Sequence, residues 1–503
     1  MTAPLGAGSA RHHTPARLLA AIASLWLVYF VFGTSTGFGF VATWHDEQRL
    51  IQTTLLAVTA LVLVAIAAMP TARSQVPGLA WPVWGVLAVA GLSAVRARFP
   101  ALAALEIGLF LGLISLAMVF ATWVRIAPAM AARGVLLGVI AIAFTQEFAI
   151  AVRYAAAIAV GLPLDVETLT VGFANRRFAS ALYALLIPVL AAASVSAAVG
   201  RRWRIAAFAL MAGLWAVNLG LGTRAVLFSF GLALPVWLVL LGWARIRRMS
   251  LALAGSFALG LLIYFTSFEW LPQAMGWPSA TDATHLTELD HASGRWPLWL
   301  AAWNAMLPQP WLGIGPMHYA ALERLGAAHP HNWVMQWLSE LGWLGLSLVI
   351  AGLALLLVRG RQAVLGAGSD AWLAIGAYAT TVVAVIYGLV DGNAVMPVSQ
   401  SAVAIAAGLV IGSRPADPAA LARPGNTMVS SSLLAAGALA VAGVAWQAFP
   451  QQGGEIKVFN ESREQTWLAP RFWQQGLIWR HWHKSRGSDF IAPSFISEAS
   501  LSD

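Results

Sequence analysis

Residues 329–358 read HPHNWVMQWLSELGWLGLSLVIAGLALLLV, and how they are read decides the fold. From Gly342 onward the run is apolar and of membrane length, since about 20 such residues cross a bilayer. The half before it differs. Pro330 pushes His329 out of the α region, so a helix is expected at or just after His331. Asn332, Gln336, Ser339 and Glu340 then share one polar stripe, while Trp333, Trp337, Leu341 and Leu344 fall on another side. A histidine-led helix start therefore runs directly into a membrane span.

The same apolar texture recurs on both sides of this junction. Spans are expected near 17–35, 50–69, 80–95, 101–124, 134–152, 178–199, 204–222, 225–243 and 250–268, then near 342–358, 371–390, 396–412 and 430–449. Composition agrees: 59% of the 503 residues are hydrophobic and 10% charged, against about 25% charged in a soluble domain. Mean hydropathy is +0.74. The expected fold is an all-α, polytopic membrane bundle of about 12–13 transmembrane helices, with a long outer loop carrying surface helices. Four segments follow: a transmembrane bundle over 1–268, an outer loop over 269–341, C-terminal spans over 342–449, and a polar, aromatic-rich tail over 450–503. That tail is too short for a core of its own and is expected to pack on the body or the membrane surface, on the outer side. No small-residue cleavage site follows the first apolar segment, so a cleaved signal is not expected.

The absence of cysteine excludes disulfides, thiolate nucleophiles and cysteine metal sites. The net charge of +9 is explained by cytoplasmic loops and does not point to nucleic acid. Arg125 and Arg133, Arg201, Arg202 and Arg204, Arg245, Arg247 and Arg248, and Arg359 and Arg361 occupy alternate loops, which assigns those loops to the inside. Segments near 153–177, 269–330 and 391–396 are then outside, periplasmic in a Gram-negative cell. Arg96 and Arg98 run against this scheme.

Arginines on the outer side need a reason. Arg176 and Arg177 precede one span, Arg224 stands in Thr223-Arg224-Ala225 at a span end, and Arg295 opens the segment Arg295-Trp296. Snorkelling, or ion pairs with Asp282, Glu288 or Asp290, would account for them structurally. Alternatively, guanidinium groups gathered at the outer bilayer edge suit a lipid-linked phosphate or pyrophosphate. His331 is the second ingredient. At a helix start the dipole disfavours the protonated imidazole, which suits a general base for a hydroxyl nucleophile. His329 and His318 are read as structural. Trp296, Trp299, Trp303 and Trp311 are spaced for a surface helix that Pro308-Gln309-Pro310 ends, and Gly313-Ile314-Gly315-Pro316 is read as a turn. His285, Asp290 and His291 are read as a polar loop and not a metal site.

The pattern Arg295-Trp296…Trp299…Pro310…Gly313-Ile314-Gly315…His331-Asn332…Gln336…Glu340-Leu341-Gly342…Gly345 resembles the O-antigen ligase and polymerase superfamily, which includes bacterial protein O-oligosaccharyltransferases. Thr223-Arg224-Ala225 resembles its first arginine motif, and Asn175-Arg176-Arg177-Phe178-Ala179-Ser180 another of its segments. The resemblance covers roughly residues 170–345. It implies a metal-independent, inverting glycosyltransferase of the inner membrane with its active site on the periplasmic face and no cofactor. Such an enzyme moves a glycan from undecaprenyl pyrophosphate to an acceptor. By the resemblance, Arg224 and Arg295 bind the donor pyrophosphate with Arg177 as a further contact. His331 deprotonates the acceptor hydroxyl, and Asn332, Gln336 and Glu340 form a cavity wall. Lipid A–core is favoured as acceptor, ahead of a growing glycan or a protein hydroxyl. A transporter of lipid-linked sugars is the alternative from another class. It would place ionisable groups at mid-membrane, as Gln146 and Glu147 are, whereas the outer arginines and His331 collect at one face.

Overall fold

The structure is a computed structural model, and it describes residues 13–39, 43–165, 169–170, 172–279, 295–322, 327–367, 371–414, 424–448 and Phe472. Asp282, His285, Glu288, Asp290 and His291 lie outside the described residues, as does the tail apart from Phe472.

The described chain forms helices only, fourteen of them ten residues or longer: α1 (His13–Phe32), α2 (Trp44–Ala68), α3 (Trp81–Arg96), α4 (Pro100–Ile126), α5 (Pro128–Val160), α6 (Arg176–Val195), α7 (Arg201–Gly220), α8 (Arg224–Leu241), α9 (Trp243–Tyr264), α10 (Arg295–Met306), α11 (Trp333–Gly366), α12 (Trp372–Tyr387), α13 (Pro397–Gly412) and α14 (Pro424–Ala448). Ten of the described helices are long and apolar enough to cross a membrane, and α3, α12 and α13 are shorter apolar helices. Together these occupy the thirteen places where the sequence suggested spans. The chain is an all-α polytopic bundle.

Local chemistry sets where the helices begin. Proline occupies the first turn of α3, α4, α5 and α13, where its missing N–H costs no helical hydrogen bond. Asn175, Thr43 and Asn332 cap α6, α2 and α11 with side-chain oxygens. Small residues then let helices approach. A Cβ on Gly412 of α13 would come within 2.6 Å of the Ala121 carbonyl of α4, the close packing expected where no hydrophobic force drives helices together in lipid. The C-terminal spans are woven into the N-terminal ones: α13 packs on α4, α14 on α2 and α4, and α12 on α6.

One end of the bundle gathers arginines that complete helix C-termini. Arg125 donates to the carbonyls of Gln75 and Ile411, Arg245 to those of Leu365 and Ala367, and Arg361 to that of Leu240. The starts of α6, α8 and α11 and the end of α12 lie at the opposite end, where Arg96 and Arg98 also stand. Arg98 covers the Phe99 ring at 5.4 Å.

At that second end a buried polar network fastens α2 to α13. Arg49, 1% exposed, donates from Nη1 to Gln52 and Gln400, from Nη2 to the Val395 carbonyl at 2.6 Å, and from Nε to the Phe472 carbonyl at 3.0 Å. Its guanidinium also faces the Phe472 ring. Phe472, the one described residue of the tail, is thus packed on the body at this end.

Candidate functional site

Three helices begin with arginine at the same place. Arg177 is the second residue of α6, Arg224 the first of α8 and Arg295 the first of α10. A cation in a first turn opposes the helix dipole and costs roughly 0.3–1 kcal/mol. Three such placements side by side have a structural cost that a bound anion would reverse. The turn before α8 is fixed to α6 by Ser180, whose hydroxyl donates to Thr223 at 2.9 Å. Arg177 and Arg224 both lie close enough to Arg295 to bear on its charge. Burial lowers the pKa of Arg295; Asp391 and Tyr387 act against that shift, while Arg177 and Arg224 add to it. A guanidinium remains protonated through such a shift. Its Nε is buried and has no hydrogen-bond partner, so a donor is left open at the centre of the group. Arg224 is exposed and Arg177 half-buried. Arg176, beside Arg177 at the start of α6, is also half-buried.

His331 stands beside them. The helix it was expected to open starts at Trp333, with Asn332 as its cap: the Asn332 side chain accepts from the N–H groups of Val334 at 2.9 Å and Met335 at 3.1 Å. His331 itself has φ 51, one of two described non-glycine residues with positive φ. Such a conformation costs of order 1 kcal/mol and persists only where surroundings impose it. Those surroundings are specific. The His331 N–H donates to His329 Nδ1 at 3.2 Å, and the two rings lie 4.1 Å apart. Trp299 of α10 holds the Pro330 carbonyl at 2.9 Å, and the Gly388 carbonyl after α12 accepts from Trp333 at 2.9 Å. His329, buried at 3% exposed, thus helps to set the backbone of its neighbour.

The partner of His331 is a residue that the sequence did not single out. Nδ1 of His331 meets Oδ1 of Asp391 at 3.3 Å, with the histidine side chain 17% exposed and the aspartate 3%. A carboxylate accepts, so when the ring is neutral its proton rests on Nδ1 and the lone pair on Nε2. Asp391 is itself held: Oδ1 accepts the Gly392 N–H at 2.7 Å, and Oδ2 the Tyr387 hydroxyl at 3.4 Å. That hydroxyl also reaches the Arg177 carbonyl at 3.3 Å, which ties α12 to α6. Burial pushes the Asp391 carboxyl up. The hydrogen bond and charge of His331, the Gly392 N–H and the Arg177 guanidinium outweigh it and hold the carboxyl below its ordinary value. One signal was available. Asp391 is the single charged residue between 371 and 413, and it falls between two apolar spans.

The rest of the polar stripe faces inward. Gln336 and Glu340 are each 4% exposed, and Glu340 accepts the Tyr319 N–H at 3.1 Å. Below them α11 breaks at Gly342, which has φ 64 and ψ −168. The Gly313-Ile314-Gly315 turn fits into the break. Ile314 and Gly315 donate to the carbonyls of Ser339 and Glu340 at 2.9 and 3.0 Å, and Trp343 donates back to Pro310 at 2.8 Å. Ser93 of α3 bridges the Leu312 and Glu340 carbonyls. The turn is therefore a clamp on the helix that His331 precedes. His318 is structural: its ring joins the Pro316 carbonyl to the Phe99 N–H. Among the described residues, no group of three or more His, Asp or Glu is placed to hold a metal ion.

A family model described as O-Antigen ligase matches residues 206–350. That stretch runs from within α7 to within α11 and takes in Arg224, Arg295 and His331. Arg177 and Asp391 lie outside it. No curated protein matches the chain.

Proposed function

We propose that the chain moves a glycan from undecaprenyl pyrophosphate to an acceptor hydroxyl, with lipid A–core as the favoured acceptor. The O-antigen ligase domain within a multi-pass bundle supports a glycan-transferring membrane enzyme of that family. One observation carries the finer reading: three helix-opening arginines stand beside a histidine paired with a buried carboxylate.

In this reaction His331 Nε2 takes the proton of the acceptor hydroxyl as its oxygen attacks the anomeric carbon. The bond from that carbon to the pyrophosphate oxygen breaks, and its electron pair leaves with the pyrophosphate. Attack opposite the leaving group inverts the anomeric centre. Arg177, Arg224 and Arg295 meet the growing negative charge with preformed donors, the electrostatic contribution that is usually largest in catalysis. Asp391 keeps the imidazole in the tautomer that can accept a proton, and stabilises the imidazolium once it forms. Pyrophosphate is a good leaving group, and three guanidinium groups supply the positive charge that a metal would otherwise bring, so transfer is proposed to be metal-independent. The site is proposed to face the periplasm of a Gram-negative inner membrane, because the arginine-rich helix ends lie at the other side of the bundle.

The test is transfer by the purified full chain from an undecaprenyl-pyrophosphate glycan, with and without a chelator. Wild type transfers in both conditions and His331→Ala falls by a factor of about 100 or more. Full transfer by His331→Ala would sink the mechanism. Lipopolysaccharide from a deletion strain separates the acceptors. Loss of all capped lipopolysaccharide fits a ligase, core plus one unit fits a polymerase, and an unchanged ladder points to a protein acceptor.

A further inference from the structure

A groove runs down the flank of the bundle between α1 and α5, from the end away from His331 as far as Phe30 and Leu182. It encloses about 370 Å³, a volume in the range of small-molecule sites. Its floor is apolar, with Trp26, Phe120, Leu182 and Leu409 among the residues that form it. Ser24, Met130 and Leu137 are exposed along its rim, so it opens sideways. Within a bilayer a sideways opening meets hydrocarbon and not water. At Gly138 on its wall an added Cβ would touch one atom, Leu27 Cδ1, at 3.7 Å, so glycine there leaves the trough unfilled.

One mouth of the groove is cationic. Arg133, on the second turn of α5, lines it and is exposed. Arg17 of α1 stands three and seven residues before Ala20 and Ser24, both lining residues, and so lies on the same helix face nearer the helix start. Both helices begin at the end of the bundle opposite the candidate site. No carboxylate is found among the described lining residues. An apolar trough lined at one mouth by Arg133, with Arg17 in register on the adjoining face of α1, fits a molecule with a hydrocarbon chain and a phosphate at its head. A zwitterionic lipid leaves the paired positive charge uncompensated, whereas an anionic one cancels it. Guanidinium groups take phosphate oxygens two at a time, and basic pockets between spanning helices hold anionic head groups in this manner.

We propose that this groove is a binding site for an anionic phospholipid of the leaflet opposite the one the candidate site faces. One acyl chain lies between α1 and α5, and Arg17 and Arg133 hold the phosphate. The site is separate from the transfer chemistry, and its test does not depend on that chemistry.

The measurement is the thermal midpoint of the full chain in detergent, titrated with palmitoyl-oleoyl phosphatidylglycerol or with the phosphatidylcholine of the same chains. Wild type is stabilised saturably by phosphatidylglycerol, at about fivefold lower concentration per arginine engaged than by phosphatidylcholine. Arg17→Gln and Arg133→Gln each lose about fivefold of that preference, and the double variant loses it altogether. Gly138→Leu, which fills the trough, weakens the response to both lipids. Each variant is read against its own lipid-free midpoint, so a general loss of stability does not imitate the effect. Equal response of wild type to the two lipids would overturn the proposal. So would unchanged phosphatidylglycerol affinity in the arginine variants, or equal stabilisation by glycerol phosphate without chains.

Discussion

At the scale of single residues, the decisive pair is His331 and Asp391. The carboxylate is nearly fully buried, yet its pKa is held below the ordinary value by the groups that donate to it and by nearby positive charge. Asp391→Asn keeps the shape but offers an amide that can accept or donate, so the imidazole loses its enforced tautomer. Transfer is expected to fall by a factor of about 100 or more with folding retained, read as a loss in rate at saturating donor. The sign of the pH effect follows from the depressed value. The folded state favours the carboxylate, so this stabilisation is complete above the ordinary pKa of about 3.9 and is lost as pH falls through the lower folded value. Thermal midpoints between neutral and acidic pH should therefore drop more for wild type than for Asp391→Asn, and equal slopes would contradict the pairing. Arg295 gives a second residue-scale prediction. With its Nε buried and unpartnered, its planar fork is the feature a phosphate would use, and lysine supplies only a point charge. Arg295→Lys should lose tenfold or more in transfer, about 1.4 kcal/mol, despite keeping the charge.

At the scale of elements, the junction between the Gly313-Ile314-Gly315 turn and the break in α11 fixes how the histidine segment enters the bundle. The sequence marked both parts, one as a turn and the other as the start of a span, but not that they meet. Main-chain hydrogen bonds between Ile314, Gly315, Ser339 and Glu340 leave no side-chain pattern to read. Only the glycines betray them, and a glycine is as easily read as a simple turn. Helix starts were easier, because Pro330 and Asn332 act within a few residues of themselves. Asp391 was missed for the opposite reason: its partner lies 60 residues earlier, across α11 and α12. Gly342 carries the test of the junction. With φ 64, an alanine there is strained, and its Cβ would come within 2.5 Å of the Pro310 carbonyl, a backbone atom that cannot swing aside. Gly342→Ala should lower stability by more than about 1 kcal/mol and weaken transfer with it. Ala354→Gly, on the continuation of α11 where the side chain is exposed, serves as the control. It should cost no more than the ordinary helical penalty of about 1 kcal/mol, with transfer intact.

At the scale of the whole molecule, the chain separates two kinds of arginine. Arg125, Arg245 and Arg361, at one end, complete the C-termini of helices and follow the rule for inside loops. At the other end Arg177, Arg224 and Arg295 begin helices, against the dipole, and Arg49 is buried. Arg49 is the extreme case. The loop that carries Asp391 is tied from below by its Nη2 on Val395, by Gln52 on the Pro397 carbonyl at 2.8 Å and by Gln400 on the Ala394 carbonyl at 2.6 Å. The same guanidinium holds Phe472, so α2, the loop between α12 and α13, and one point of the tail depend on a single side chain. Removing it leaves buried neutral acceptors without a donor, a loss of about 1–3 kcal/mol for each one left unsatisfied. Arg49→Ala should therefore lower the thermal midpoint well below that of Arg202→Ala, a variant of an exposed arginine at the other end. Arg49→Lys should fall between, because an ammonium cannot span Gln400, Val395 and Phe472 at once. The consequence for the site distinguishes a tie from mere stability. If Arg49 fixes the Asp391 loop, Arg49→Lys loses transfer even at temperatures where it is fully folded. Wild-type transfer by folded Arg49→Lys would confine Arg49 to holding the bundle together.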